Sequence, residues 1–260
     1  MTENVSEAAE AEAPPLLVTR DGHVAIFTLN RPERRNAINR AMRKALKKEL
    51  WKADGDDDVR VVVVTGAGSA FSSGVDLPEA LSGPPPRTEG PTPTQVMRGI
   101  SKPVIAAVNG PCYTGGFEFA VNCSFIVASD RAEFADTHAQ IGLLNGWGGS
   151  ALLPRMVGTP WAIQIALSGL PVDGETAARI GLANEVVPHD RLLDRTLEIA
   201  HAIAKGHPGA VQRMLRLLKE GAGSSVAHAL GLEAEASATW RSDGADVGAR
   251  FGKRRAEKND

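Results

Sequence analysis

The chain has 260 residues, 43% of them hydrophobic and 23% charged, which is enough for one large core or a core with an appendage. A formal net charge of -2 gives no reason to expect nucleic acid or an anionic membrane as the main partner, and no apolar run reaches the ~18 residues a membrane helix needs. Only 5% of residues are aromatic, so aliphatic and alanine packing must fill the core.

Residues 1–14 are acidic and alanine-rich, and are expected to be a disordered tail. They carry neither the basic stretch nor the apolar stretch of a signal peptide. The two cysteines, Cys112 and Cys123, cannot form a disulfide framework and read as small buried hydrophobes in a reducing compartment. The expectation is a soluble cytoplasmic protein.

Two alternating stretches, Leu16–Thr19 and Val24–Leu29, flank the turn pair Asp21-Gly22 and predict a hairpin. Asn36 is expected to cap a helix with Ile38, Met42, Ala45, Leu46 and Leu50 on its apolar face. Three β-branched or apolar runs, at 59–65, 103–108 and 125–128, suit strands covered on both faces. A helical stretch around Phe117–Asn122 separates the last two, which implies parallel strand–helix–strand units. Between them and the first run, residues 82–93 hold five prolines and two glycines, and predict an irregular, mobile loop beside the site. From about Trp161 onward the signals are helical. Asp173 and Asp190 begin segments, Gly169, Gly206 and Gly221 stop them, and Leu192, Leu193, Thr196, Leu197, Ala200 and Ile203 trace one face. The predicted architecture is an α/β core over residues 15–200 and a helical region over 201–260.

Two glycine-containing turns follow apolar strands: Thr65 to Asp76, and Asn109 to Glu118. The first lacks the third glycine of a dinucleotide loop, and neither a phosphate-binding loop nor a G-x-S-x-G nucleophile turn is present. No His/Cys/carboxylate set has metal-ligand spacing. Tight strand-to-helix geometry explains either turn alone. Together they can also aim free backbone amides at one developing negative charge.

At this point five segments resemble the crotonase (enoyl-CoA hydratase/isomerase) superfamily, in order and at family spacing, over roughly residues 16–256. They are Leu29-Asn30-Arg31-Pro32-Glu33-Arg34-Arg35-Asn36-Ala37, Phe71-Ser72-Ser73-Gly74-Val75-Asp76-Leu77, the stretch from Lys102-Pro103 through Gly115-Gly116-Phe117-Glu118, Ala178 to Pro188, and Phe251-Gly252-Lys253-Arg254. The resemblance implies a spiral of ββα units with a C-terminal helical trimerisation region, and homotrimers or hexamers. It implies an acyl-CoA thioester substrate whose carbonyl oxygen is held by the backbone amides of Val75 and Gly115. It places Arg34, Arg35, Ala37, Ser73, Gly74, Asp76, Leu77, Gly116 and Trp147 along the CoA ester, and Phe251 and Lys253 near its nucleotide end. No metal or cofactor is implied, since coenzyme A is part of the substrate.

Hydration of an enoyl thioester needs one group to activate water and one to protonate the α-carbon, and the family's hydratases use two glutamates. Glu118 matches the first. His138 stands where the second belongs, and Asn145 stands where proline is usual. A histidine can serve as acid or base near neutral pH, or can merely shape the pocket. Asp136, two residues away, can orient it or face away. The implied function is an enoyl-CoA hydratase-like lyase of fatty acid metabolism. The alternatives are double-bond isomerisation, thioester hydrolysis, or an acyl-CoA-binding protein with little turnover.

Overall fold

The computed structural model describes residues 13–82, 90–241, 247–250 and 252. The expected tail therefore falls outside the described residues up to position 12, as does most of the proline-rich segment. The chain forms two compact units, Met1–Pro208 and Gly209–Asp260.

The hairpin forms as predicted: β1 (Leu16–Asp21) pairs antiparallel with β2 (Val24–Leu29). Helix α1 (Arg40–Asp54) follows. Its cap is Asn39, whose side chain accepts from the Met42 amide, and not Asn36. Asn36 instead adopts a left-handed conformation with φ 56°. Its buried amide group donates to the carbonyls of Ala67 and Ala70 and accepts from the Arg31 amide. Met42, Leu46 and Leu50 are buried along α1, as the helical spacing requires.

Next come β3 (Val61–Gly66), α2 (Leu77–Leu81), α3 (Pro93–Gly99) and β4 (Val104–Val108). Residues 92 and 93 were expected in an irregular loop. Thr92 instead caps α3 with its side chain and Pro93 takes the first helical position, where its missing N–H costs nothing. After β5 (Pro111–Tyr113), α4 (Gly115–Val121), β6 (Phe125–Ser129) and β7 (Glu133–Ala135) come α5 (Gly149–Val157) and α6 (Thr159–Ser168). The first unit closes with β8 (Val172–Asp173), α7 (Gly174–Arg179), β9 (Glu185–Val187) and α8 (Leu192–Ala204).

The main sheet runs β1-β2-β3-β4-β6-β9, parallel from β2 onward. Its central strands β3, β4 and β6 are apolar on both faces because both are covered. Val62, Val64, Ala106, Val108, Ile126 and Ala128 join one core with α1 and α4; Val61, Val63, Ile105, Ala107 and Val127 join a second core with Leu192, Ala200 and Ala204 of α8. A three-stranded sheet, β5-β7-β8, lies apart from the first. The region after Trp161 is thus not purely helical, since β9 extends the main sheet. Glu185-Val186-Val187 is too short for its alternation to be seen in the sequence.

In the second unit, α9 (Pro208–Ala222) and α10 (Val226–Thr239) form a helical pair. Gly221, expected to stop a helix, lies within α9; a Cβ there would sit 3.3 Å from that of Ala229, so its small size admits α10. Arg213 stacks over the ring of Trp240 at 5.9 Å.

Candidate active site

Two turns meet where the strands end. Residues 72–75 follow β3 and residues 111–115 follow β4. They are laced together by the Tyr113 amide donating to Ser72 O at 2.9 Å and by a bridge between Ser72 and Cys112. Their closeness leaves no room for side chains. A Cβ on Gly74, which has φ 102°, would lie 2.9 Å from Tyr113 O, and one on Gly116 would lie 2.7 Å from Ser72 Cβ.

The amides of Val75 and Gly115 sit side by side at this junction. A Cβ on Gly115 would be only 3.3 Å from Val75 N. The bridge between Ile38 and Val75 uses the amides of Ile38 and Asp76, which turns the amide of Val75 itself away from it. Gly115 opens α4, where amides lack intrahelical acceptors. Thr114 before it is β-branched yet has φ 51° and ψ -114°, a conformation that costs about 1–3 kcal/mol. The Thr114 amide donates to Ala135 O at 2.8 Å, and its hydroxyl meets that of Thr137 at 2.5 Å, which hold it there. Such paired amides can receive an oxyanion.

Glu118 lies one turn into α4 and is only 2% exposed. Its Oε1 accepts from the amides of Trp147 at 2.8 Å and Gly149 at 3.0 Å, and its Oε2 accepts from Gly146 at 3.4 Å. These amides lead into α5, whose N-terminal end favours negative charge. Arg98 donates to the Asn122 side chain and to Trp147 O, and Asn122 in turn donates to the carbonyls of Glu118 and Trp147. The turn that grips the carboxylate is therefore itself held in place.

His138 is 6% exposed, and its Nε2 lies 3.5 Å from Glu118 Oε2. Its Nδ1 lies 2.6 Å from Oδ1 of Asp136, so Asp136 faces the ring. Burial pushes the Asp136 carboxyl up, but hydrogen bonds from the His138 ring, the Asn145 side chain and the His138 amide outweigh it. Its pKa falls below the ordinary 3.8. A carboxylate and an imidazole at this separation can share a water or pass a proton.

The other expected site residues take varied places. Arg34 and Arg35 are exposed, and their carbonyls accept from the Ser73 hydroxyl and amide, so this segment braces the first turn. Ala37 is buried, and Leu77 is exposed at the start of α2. The Asp76 carboxylate is engaged by Arg31 at 2.8 Å and caps α2, so it holds the turn together. Trp147 contributes its amide to Glu118, and its side chain packs on the core. Phe251 and Lys253 lie outside the described residues.

Sequence reasoning missed the amides of Gly146 and Gly149, the Arg98–Asn122 brace, and Asn145, whose side chain donates to Asp136 Oδ2 at 2.8 Å. The only sequence signal for Asn145 was that it replaces a usual proline. Among the described residues no cluster of three or more His, Cys, Asp or Glu is placed to hold a metal ion, and no helix is long and apolar enough to cross a membrane.

Comparison with known proteins identifies the family. The enoyl-CoA hydratase/isomerase family model matches residues 19–243. A probable peroxisomal enoyl-CoA hydratase 1 of Arabidopsis thaliana is 39% identical over 216 residues, covering 82% of each chain. The crystal structure of an enoyl-CoA hydratase from Mycobacterium tuberculosis H37Rv is 40% identical with TM-score 0.74, covering 86% of this chain and 96% of that one. An enoyl-CoA hydratase from Bacillus anthracis superposes with TM-score 0.85 at 27% identity, covering 93% and 96%. The chain belongs to the enoyl-CoA hydratase/isomerase family of the crotonase superfamily.

Proposed function

We propose that the protein hydrates 2-enoyl-CoA thioesters, with Glu118 and His138 as the catalytic pair and the amides of Val75 and Gly115 as the oxyanion site. The observation that carries this reading is the 3.5 Å approach of His138 Nε2 to Glu118 Oε2. The histidine stands where the hydratases place glutamate, and its ring faces the other catalytic group instead of turning into the core. Relatives that match most of the chain are named as hydratases, among them a short-chain-enoyl-CoA hydratase of Clostridium acetobutylicum at 34% identity.

In this reading the thioester oxygen lies between the two amides, and water lies between Glu118 and His138. Attack of water at the β-carbon sends the double-bond electrons to the thioester oxygen. The enolate is stabilised there, and one oxyanion donor is worth about 2.7–4 kcal/mol. The proton that water loses passes to the Glu118–His138 pair, and the pair gives one proton to the α-carbon, so it ends as it began. Water and protein groups complete the balance, so no cofactor is called for beyond the CoA of the substrate. Ser73, Gly74, Leu77 and Gly116 would border the thioester, with Arg34 and Arg35 available to its phosphates. Exposed Met214, Leu218, Val226 and Leu230 of the helical unit support self-association into the trimer or hexamer, and the two buried free cysteines suit the cytoplasm.

The test is loss of the conjugated enoyl absorbance with crotonyl-CoA and longer enoyl-CoAs. Turnover by the wild type is expected. Tight binding of these esters with no turnover on any of them refutes the reading.

A further inference from the structure

Around His138 the side chains form a continuous chain. Ser150 Oγ donates to Asn145 Oδ1 at 3.0 Å, which turns the Asn145 amino group toward Asp136. Asn145 Nδ2 donates to Asp136 Oδ2 at 2.8 Å. The other oxygen, Oδ1, accepts from the His138 amide at 3.2 Å and from His138 Nδ1 at 2.6 Å. Asp136 is 2% exposed, and a carboxylate so buried is tolerated only because both oxygens are hydrogen-bonded.

Asn145 Nδ2 also lies 3.2 Å from His138 Nδ1, but it has the shorter 2.8 Å bond to Asp136 Oδ2, and a carboxylate only accepts, so the 2.6 Å contact with Asp136 Oδ1 assigns the ring's proton to Nδ1. In the neutral ring, Nε2 then presents a lone pair toward Glu118 Oε2. Two acceptors 3.5 Å apart face each other, an arrangement suited to a water that donates one O–H to each. The charged groups against the ring are Glu118 on α4 and Asp136 after β7, while the 145–150 turn adds the neutral Asn145.

We propose that Asp136, held by Asn145, is a positioning residue that fixes His138 with its proton on Nδ1, so that the imidazole enters hydration as the base that takes the proton of water. The proposal rests on the hydration reading above. As water's oxygen bonds to the β-carbon, one O–H bond breaks and its proton moves to Nε2, while the π electrons become the enolate. The imidazolium then lies between two carboxylates. Collapse of the enolate takes the same proton to the α-carbon by way of Glu118 Oε2, and the ring returns neutral. Asp136 touches no reacting atom; it sets the tautomer and faces the transient positive charge, as the buried aspartate does in a Ser-His-Asp triad.

The test combines kinetics of the full chain with nitrogen-15 NMR of the His138 ring. Asp136→Asn is expected to lower kcat for crotonyl-CoA hydration by about 10²–10⁴-fold while KM stays within about threefold. Asn145→Ala, which removes one hydrogen bond to Asp136, is expected to lower kcat about tenfold. In the wild type the neutral ring is expected to show its proton on Nδ1, and in Asp136→Ala on Nε2. Wild-type kcat in Asp136→Asn, a change confined to KM, or a wild-type ring protonated on Nε2 overturns the proposal. If Asp136→Asn fails to fold, Asn145→Ala and the wild-type tautomer decide. If the wild type turns over no enoyl-CoA, the hydration reading falls, and the tautomer still reports whether Asp136 fixes the ring.

Discussion

At the residue scale the site depends on how Glu118 is held. Three backbone amides bind its oxygens, so Glu118→Gln both removes the charge and points an amino group at donors. Hydration should fall by about 10²–10⁴-fold with binding of a saturated acyl-CoA little changed, as calorimetry beside steady-state kinetics would show. Gly149→Ala is a second prediction. Its Cβ would fall 2.7 Å from Asn145 Nδ2 and 3.2 Å from Glu118 Cγ, so one methyl disturbs both arms of the pair, and kcat should drop at least about tenfold. Glu118 and the flanking glycines were legible because they lie in one contiguous motif. Asn145 was not, because its partner Asp136 is nine residues away across a turn whose path no periodicity reveals.

At the element scale, the first oxyanion turn is tied down by the Arg31–Asp76 ion pair, whose side chains are 16% and 12% exposed. The Arg31 hydrogen bond, against some burial and with help from the Glu79 amide, lowers the Asp76 pKa from its ordinary 3.8. A depressed pKa stabilises the fold above the unfolded value, and that contribution is lost as pH falls through the folded one. Asp76→Asn should therefore cost about 1–3 kcal/mol at pH 7 by urea unfolding, and the gap from wild type should narrow as pH falls below the ordinary 3.8. Gly116→Ala would put a methyl 2.7 Å from Ser72 Cβ and Ser72 O, wedging α4 off the first turn. Loss of oxyanion geometry should then lower kcat by about 10²-fold. The buried strands and α1 were readable from their apolar runs and helical spacing. The cap of α1 was misplaced by three residues, because Asn36 and Asn39 look alike in sequence. Only the left-handed turn at 35–36 tells them apart.

At the scale of the whole molecule, the parallel sheet with both faces covered was foreseeable from runs such as Val61-Val62-Val63-Val64. The small sheet β5-β7-β8 and the edge strand β9 were not, since strands of two or three residues leave no pattern. The sequence also placed His138 at a family position without saying which way its ring points. The fold answers that by bringing the end of β7 against α4 and α5, so that Asp136, His138 and Glu118 fall in line. The most direct test of this account is the rate of crotonyl-CoA hydration by the wild type beside His138→Ala. The account predicts turnover in the wild type and a loss of about 10²–10⁴-fold in kcat in the variant. Equal rates in the two proteins would contradict it.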